Sequence, residues 1–170
     1  SLSVSMDYIS HIPLNFSLLD VHMWYIYLLI GMYLYMPVFS AWVEKASEKA
    51  KLWFLAAWGV TLFVPYYREF VNPYLWGSCS WNEFYMLYNF AGFNGYLLLG
   101  HYLRHHDFSL ARTLGWGIPS FVIGFLITFL GFRHITSLPE YTGEQLEMFF
   151  YYCSPNVVMM TVPCFLIAKK

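Results

Sequence analysis

His22 is the first residue whose type and position suggest chemistry. It stands at the start of an uncharged, strongly aromatic run over residues 21–43 (VHMWYIYLLIGMYLYMPVFSAWV), just ahead of Trp24 and Tyr25. An imidazole titrates near neutrality, so one placed where a helix meets the headgroup layer can take up or deliver a proton. A second set lies far along the chain, where Glu144, Glu147, Tyr151 and Ser154 follow at steps of three, four and three. That spacing predicts one polar face of a helix. Ionisable groups in an apolar segment are costly in lipid and normally face a cavity or a partner helix, so the face points to a watery pocket. Interhelical hydrogen bonds and aromatic anchoring at the interface are the structural alternative for each of these residues.

The elements that must position these groups follow from composition. Of 170 residues, 59% are hydrophobic, 22% aromatic and 11% charged. A soluble domain carries about a quarter charged residues, so the deficit predicts an all-α, polytopic integral membrane bundle. Hydropathy gives about five transmembrane helices, over residues 21–43, 52–67, 84–103, 113–132 and 148–168, preceded by an outer loop or interfacial segment over 1–20. At about 1.5 Å per residue the first reaches roughly 34 Å, enough for a hydrocarbon core about 30 Å thick. The second is short, so its crossing needs Lys51 and Arg68 to snorkel. The third contains the amides Asn89 and Asn94, and the fifth contains Pro155 and Pro163. In the fourth, Gly117, Ser120, Gly124, Thr128 and Gly131 recur at helical spacing and predict a face that admits another helix closely.

Cytoplasmic loops retain positive charge, and seven of the nine Lys and Arg residues fall on one side of this topology. The start of the chain is therefore expected outside and its end in the cytoplasm. His22, Arg68, Glu69, Asn89, Arg133, His134, Glu144, Glu147 and Tyr151 then belong to the outer face, and His101, His105 and His106 to the inner one. A haem between His22 and His101 is disfavoured, because the two lie roughly 25 to 30 Å apart by span length. No basic tract offers an electrostatic footprint for nucleic acid. Cys79, Cys153 and Cys164 are odd in number and lack C-x-x-C spacing, which argues against a disulfide framework or a thiolate zinc site. No metal site is expected. Without G-x-S-x-G, H-E-x-x-H or a phosphate-cradling glycine motif, soluble-type hydrolase, zinc protease and nucleotide-driven chemistries have no support.

Three stretches carry a resemblance. VHMWYIYLLIGMYLYMPVFSAWVEKAS (21–47), FNGYLLLGHYL (93–103) and the segment beginning FFYYCSPNVVMM (149–160) resemble, in order, helices of membrane acyltransferase family 3. The family's polytopic enzymes O-acetylate peptidoglycan, lipopolysaccharide O-antigen and other surface glycans. His101 stands where that family often has Tyr. The resemblance implies transfer of an acyl group, such as acetyl, from acetyl-CoA or another acyl-CoA to a hydroxyl of a cell-surface glycan in the bacterial cytoplasmic membrane. Such transfer needs a base near the hydroxyl and donors for the developing oxyanion. His22 is the expected catalytic residue, touching the acceptor or orienting a base. Trp24, Tyr25, Arg68, Asn89, Asn94, Arg133 and Tyr151 form the expected substrate-binding set, in which Arg68 or Arg133 would neutralise carboxylate or phosphate on the acceptor.

The family's first helix, with its proposed base, and an arginine motif have no counterpart here. The chain is thus expected to be the middle portion of a larger acyltransferase domain, inactive alone. Its expected partners are membrane lipid, the glycan acceptor and flanking helices of the same polypeptide. The alternative is a transporter or ligand-binding membrane module with an outward polar pocket. Transporters often carry inverted repeats, and no internal repeat is found.

Overall fold

The computed structural model describes residues 24–75 and 84–170, with Trp24 and Tyr85 described by backbone only. The segment 1–20, His22 and Cys79 lie outside the described residues. Every regular element among the described residues is helical. Contacts divide the chain into two units, residues 1–46 and 47–170.

In the first unit, α1 (Trp24–Lys45) carries no charge before its last turn. Pro37 lies inside it without ending it, and its carbonyl accepts from Ser40 Oγ at 3.3 Å. The apolar side chains Leu34 and Val38 are exposed, as in a helix solvated by lipid.

The second unit contains α2 (Glu48–Phe70), a 3-10 helix (Tyr85–Phe90), α3 (Asn94–His105), α4 (Leu110–Thr136), α5 (Gly143–Glu147) and α6 (Pro155–Ala168). Side-chain oxygens start three of these helices. Ser47 accepts from Ala50 N at 3.2 Å, Ser109 from Arg112 N at 3.3 Å, and Thr142 from Gln145 N at 3.2 Å. Each bond satisfies one of the orphan donors of a first helical turn.

The small-residue face of α4 packs on α6. A Cβ at Gly117 would stand 2.9 Å from Pro163 Cβ, and one at Gly124 would stand 2.6 Å from the Asn156 carbonyl oxygen. Gly131 likewise lies under the Phe149 ring. Ser120 Oγ donates to the Met159 carbonyl at 2.9 Å, so a polar member of the stripe also closes the pair. Phe121, Phe125, Leu126 and Leu130 of α4 are exposed. An outer surface of this kind suits lipid contact.

Two described helices, Tyr25–Lys45 and Leu110–Thr136, are long and apolar enough to cross a membrane, against five spans expected from hydropathy. The third run is divided by Gly92, whose φ of +82° favours glycine and separates the 3-10 helix from α3. Trp58 holds the break by donating Nε1–H to the Gly92 carbonyl at 2.9 Å while its ring covers Gly95. The fifth run is divided because Pro155 starts α6, with Ser154 as N-cap, leaving 148–154 outside it. The second behaves oppositely. Its helix extends beyond the apolar run at both ends to 23 residues, and the charged residues it takes in lower its hydropathy rather than its length.

Candidate functional site

Asn156, fully buried at the first turn of α6, organises one end of the second unit. Its Oδ1 accepts from the Tyr66 hydroxyl of α2 at 2.9 Å. Its Nδ2 donates to Thr128 Oγ1 of α4 at 2.7 Å and to the Phe149 carbonyl. Both amide protons and the amide oxygen are therefore used, and three chain segments meet at one side chain. Tyr66, Ile135, Met148 and Phe149 pack around this junction, with the Tyr66 and Phe149 rings edge to face at 5.4 Å.

The short helix α5 is fastened beside it. Thr142 and Gln145 form a capping box, in which the Thr142 N–H donates to Gln145 Oε1 at 2.9 Å. The Gln145 Nε2 then donates to Glu69 Oε1 at 2.6 Å, joining α5 to the last turn of α2. One side chain thus caps its own helix and ties it to another.

Between these parts opens a cavity of about 640 Å³. Small-molecule sites run from about 300 to 1,000 Å³. Arg68 and Glu69 line it from α2, Glu144 and Glu147 from α5, and Tyr151 and Ser154 from the stretch leading into α6. One guanidinium faces three carboxylates, leaving a formal balance of −2. Among the described residues Arg68 enters no ion pair. Ser154 is 2% exposed, and its Oγ makes no hydrogen bond. The neighbouring Tyr66 hydroxyl is shared between Asn156 Oδ1 at 2.9 Å and the Met148 carbonyl at 3.2 Å.

The other end of α2 has a different character. Glu48, Lys51, His101, Tyr102, His105 and His106 surround a small cavity of about 130 Å³. Lys51 Nζ donates to Glu48 Oε1 at 2.9 Å, which holds the Glu48 carboxyl below its ordinary range. His105 Nδ1 lies 2.8 Å from the His101 carbonyl, and His106 Nδ1 lies 2.9 Å from that of Tyr102. Nearby, Lys169 Nζ reaches the carbonyls of Leu103, Arg104 and His106 at 3.2, 2.8 and 3.1 Å, and Asp107 at 3.2 Å. The ammonium closes the end of α3, where unpaired carbonyls favour a cation. Lys51 and Arg68 stand 17 residues apart on one helix, about 26 Å by helical rise, so the two polar clusters occupy opposite ends of α2.

A family model described as an acyltransferase domain matches residues 2–170. The chain belongs to acyltransferase family 3. No curated protein and no solved structure matches it. Family membership and the two long apolar helices make it a membrane protein.

Within this acyltransferase chain the structure distributes the expected site residues unevenly. Arg68 and Tyr151 line the larger cavity together. Asn89, Asn94 and Arg133 do not, Asn89 lying on the 3-10 helix, Asn94 at the start of α3, and Arg133 exposed in the last turn of α4. Tyr25 is an exposed residue of α1, in the first unit, and Trp24 is described by backbone alone. His22 lies outside the described residues.

The proposed helical face of Glu144, Glu147, Tyr151 and Ser154 requires correction. These residues fall on α5, on a non-helical stretch and on the N-cap of α6, yet all four line one cavity. Asn156, Tyr66 and Gln145 escaped the sequence reading. For Gln145 a signal existed, the Thr-x-x-Gln spacing of a capping box. Among the described residues, no group of three or more His, Cys, Asp or Glu side chains is placed to hold a metal ion.

Proposed function

We propose that the chain forms the acceptor-facing part of a membrane enzyme that transfers an acyl group, acetyl in the first instance, from acyl-CoA to a hydroxyl of a cell-surface glycan. The observation that carries this reading is the cavity of about 640 Å³ whose lining joins Arg68, Glu69, Glu144, Glu147, Tyr151 and Ser154 in a chain of an acyltransferase family. Carboxylates and a serine hydroxyl bind sugar hydroxyls by hydrogen bonding, and Tyr151 offers an aromatic ring to a sugar face. The bias of Lys and Arg supports a placement of this end outside the bacterial cytoplasmic membrane, on the side of the proposed acceptor.

In the transfer, the acceptor oxygen forms a bond to the acyl carbon, its proton passes to a base, and the carbon–sulfur bond breaks to release the CoA thiol. His22 is the proposed base or its orienting partner. Flanking helices of the full-length polypeptide complete the path for the donor.

The test uses full-length protein in membrane vesicles supplied with radiolabelled acetyl-CoA and purified surface glycan. Label should appear on the glycan, and His22→Ala should reduce it roughly tenfold, about 1.4 kcal/mol of transition-state stabilisation, with membrane abundance unchanged. Glycan binding without label transfer would reject acyl transfer in favour of a binding or transport module.

A further inference from the structure

We infer that the larger cavity takes an uncharged, polyhydroxylated acceptor and turns away anionic ones, an inference that rests on the acceptor reading above. The sequence alone suggests the reverse, since Arg68 could neutralise a carboxylate or phosphate. The structure sets that single guanidinium among Glu69, Glu144 and Glu147 in the same cavity. Arg68 cannot offset all three, so an entering anion meets a net repulsive field. An anion beside these carboxylates meets like charge, and among the described residues the cavity lining provides no second cation.

The same lining suits hydroxyl groups. Carboxylate oxygens accept hydrogen bonds from hydroxyls, and Gln145 engages just one oxygen of Glu69, Oε1. Ser154 supplies the independent indication that a polar ligand belongs here. An N-cap serine ordinarily accepts from a backbone N–H of the first helical turn, but Ser154 makes no such bond. Its Oγ is buried without a hydrogen-bond partner in a residue that lines the cavity. A buried hydroxyl left unpaired is costly. A ligand hydroxyl in the cavity would satisfy Ser154 both as donor and as acceptor, without introducing charge.

The test compares two probes that differ only in charge, methyl glucoside and methyl glucuronoside, binding to the detergent-purified full-length protein in the absence of acyl-CoA. Isothermal titration calorimetry should show the glucoside binding at least tenfold more tightly. The double substitution Glu144→Gln, Glu147→Gln, at two exposed positions, should narrow that ratio at least fivefold. Ser154→Ala should weaken the glucoside by about fivefold, while circular dichroism stays unchanged. Equal or tighter binding of the glucuronoside, an unchanged ratio in the double variant, or no binding of either sugar would overturn the inference. Because binding is read without the donor, a protein that binds the glucoside selectively but transfers no acyl group would refute the reaction and leave the selectivity standing.

Discussion

Asn156 Nδ2 donates to Thr128 Oγ1 at 2.7 Å, fixing the first turn of α6 against the small-residue face of α4. The same amide accepts from Tyr66 of α2, so the wall of the larger cavity depends on a side chain that is fully buried. Replacing it with alanine takes the Asn156 amide from three partners at once: the Tyr66 and Thr128 hydroxyls, which keep only the Met148 and Gly124 carbonyls, and the Phe149 carbonyl. Asn156→Ala should cost about 2 kcal/mol, allowing for the modest worth of single hydrogen bonds between membrane helices. Thr128→Ala should cost less, about 0.5 to 1 kcal/mol, because Asn156 keeps its other partners. Reversible unfolding in mixed micelles measures both, and an Asn156→Ala midpoint equal to wild type would remove the amide from its central place.

Close approach of α4 and α6 makes a second comparison possible on one helix. At Gly124 an added methyl would meet the Asn156 carbonyl oxygen at 2.6 Å, a backbone atom that cannot rotate away. At Gly115 it would meet nothing within 4 Å. Gly124→Ala should destabilise by about 1 to 3 kcal/mol through overpacking. Gly115→Ala should be neutral or gain up to about 1 kcal/mol, since alanine is the better helix former. The same micelle unfolding assay reads the difference, and equal midpoints would contradict the packing.

The α4 stripe was legible because its signal is local. Residues three, four and seven apart share a face whatever the partner, and only the identity of the partner, α6, required the structure. The charge bias puts Arg68, Glu144, Glu147 and Tyr151 on one face together with Asn89 and Arg133, and the structure gathers only the first four around the cavity. What hydropathy obscured was helix continuity. It reads residues 148–168 as one apolar run, although Ser154 and Pro155 carry the N-cap and first-position signature of a new helix. It also reads 52–67 as too short, although Ser47 starts that helix five residues earlier. Asn156 was not legible at all, since its partners Thr128 and Tyr66 lie 28 and 90 residues away along the chain.

At the opposite end, the hydrogen bond from Lys169 is the first cause, and the charges of Lys169 and Lys170 the next, holding the Asp107 carboxyl below its ordinary 3.8. A carboxyl whose pKa is depressed on folding contributes stability above its unfolded value. That contribution disappears as pH falls through the depressed folded value, so the pair acts fully at neutral pH and fails only in acid. Both Asp107 and the ion pair are exposed to solvent, so salt should screen the effect. In Lys169→Met, carboxyl NMR in micelles should show the Asp107 pKa moving up toward 3.8, with a smaller difference from wild type in molar salt. An unchanged Asp107 titration would mean that Lys169 serves only the carbonyls at the end of α3.

The two arginines expected to face the acceptor are separated by the fold, and this separation gives the most direct functional test. Arg68 lines the larger cavity, enters no ion pair among the described residues, and sits one residue from Glu69, which anchors α5. Arg133 is exposed in the last turn of α4 and does not line that cavity. If the acceptor occupies the cavity, the guanidinium of Arg68 can hold one of its oxygens in place as the hydroxyl is acylated. Arg68→Gln in the full-length enzyme should then lower glycan acylation roughly tenfold, about 1.4 kcal/mol. Arg68→Lys should recover only part of it, because an ammonium lacks the planar fork of donors. Arg133→Gln should lower acylation less than threefold. Measured side by side in membranes with matched protein abundance, a larger loss at Arg133 than at Arg68 would move the acceptor away from this cavity and toward the exposed end of α4.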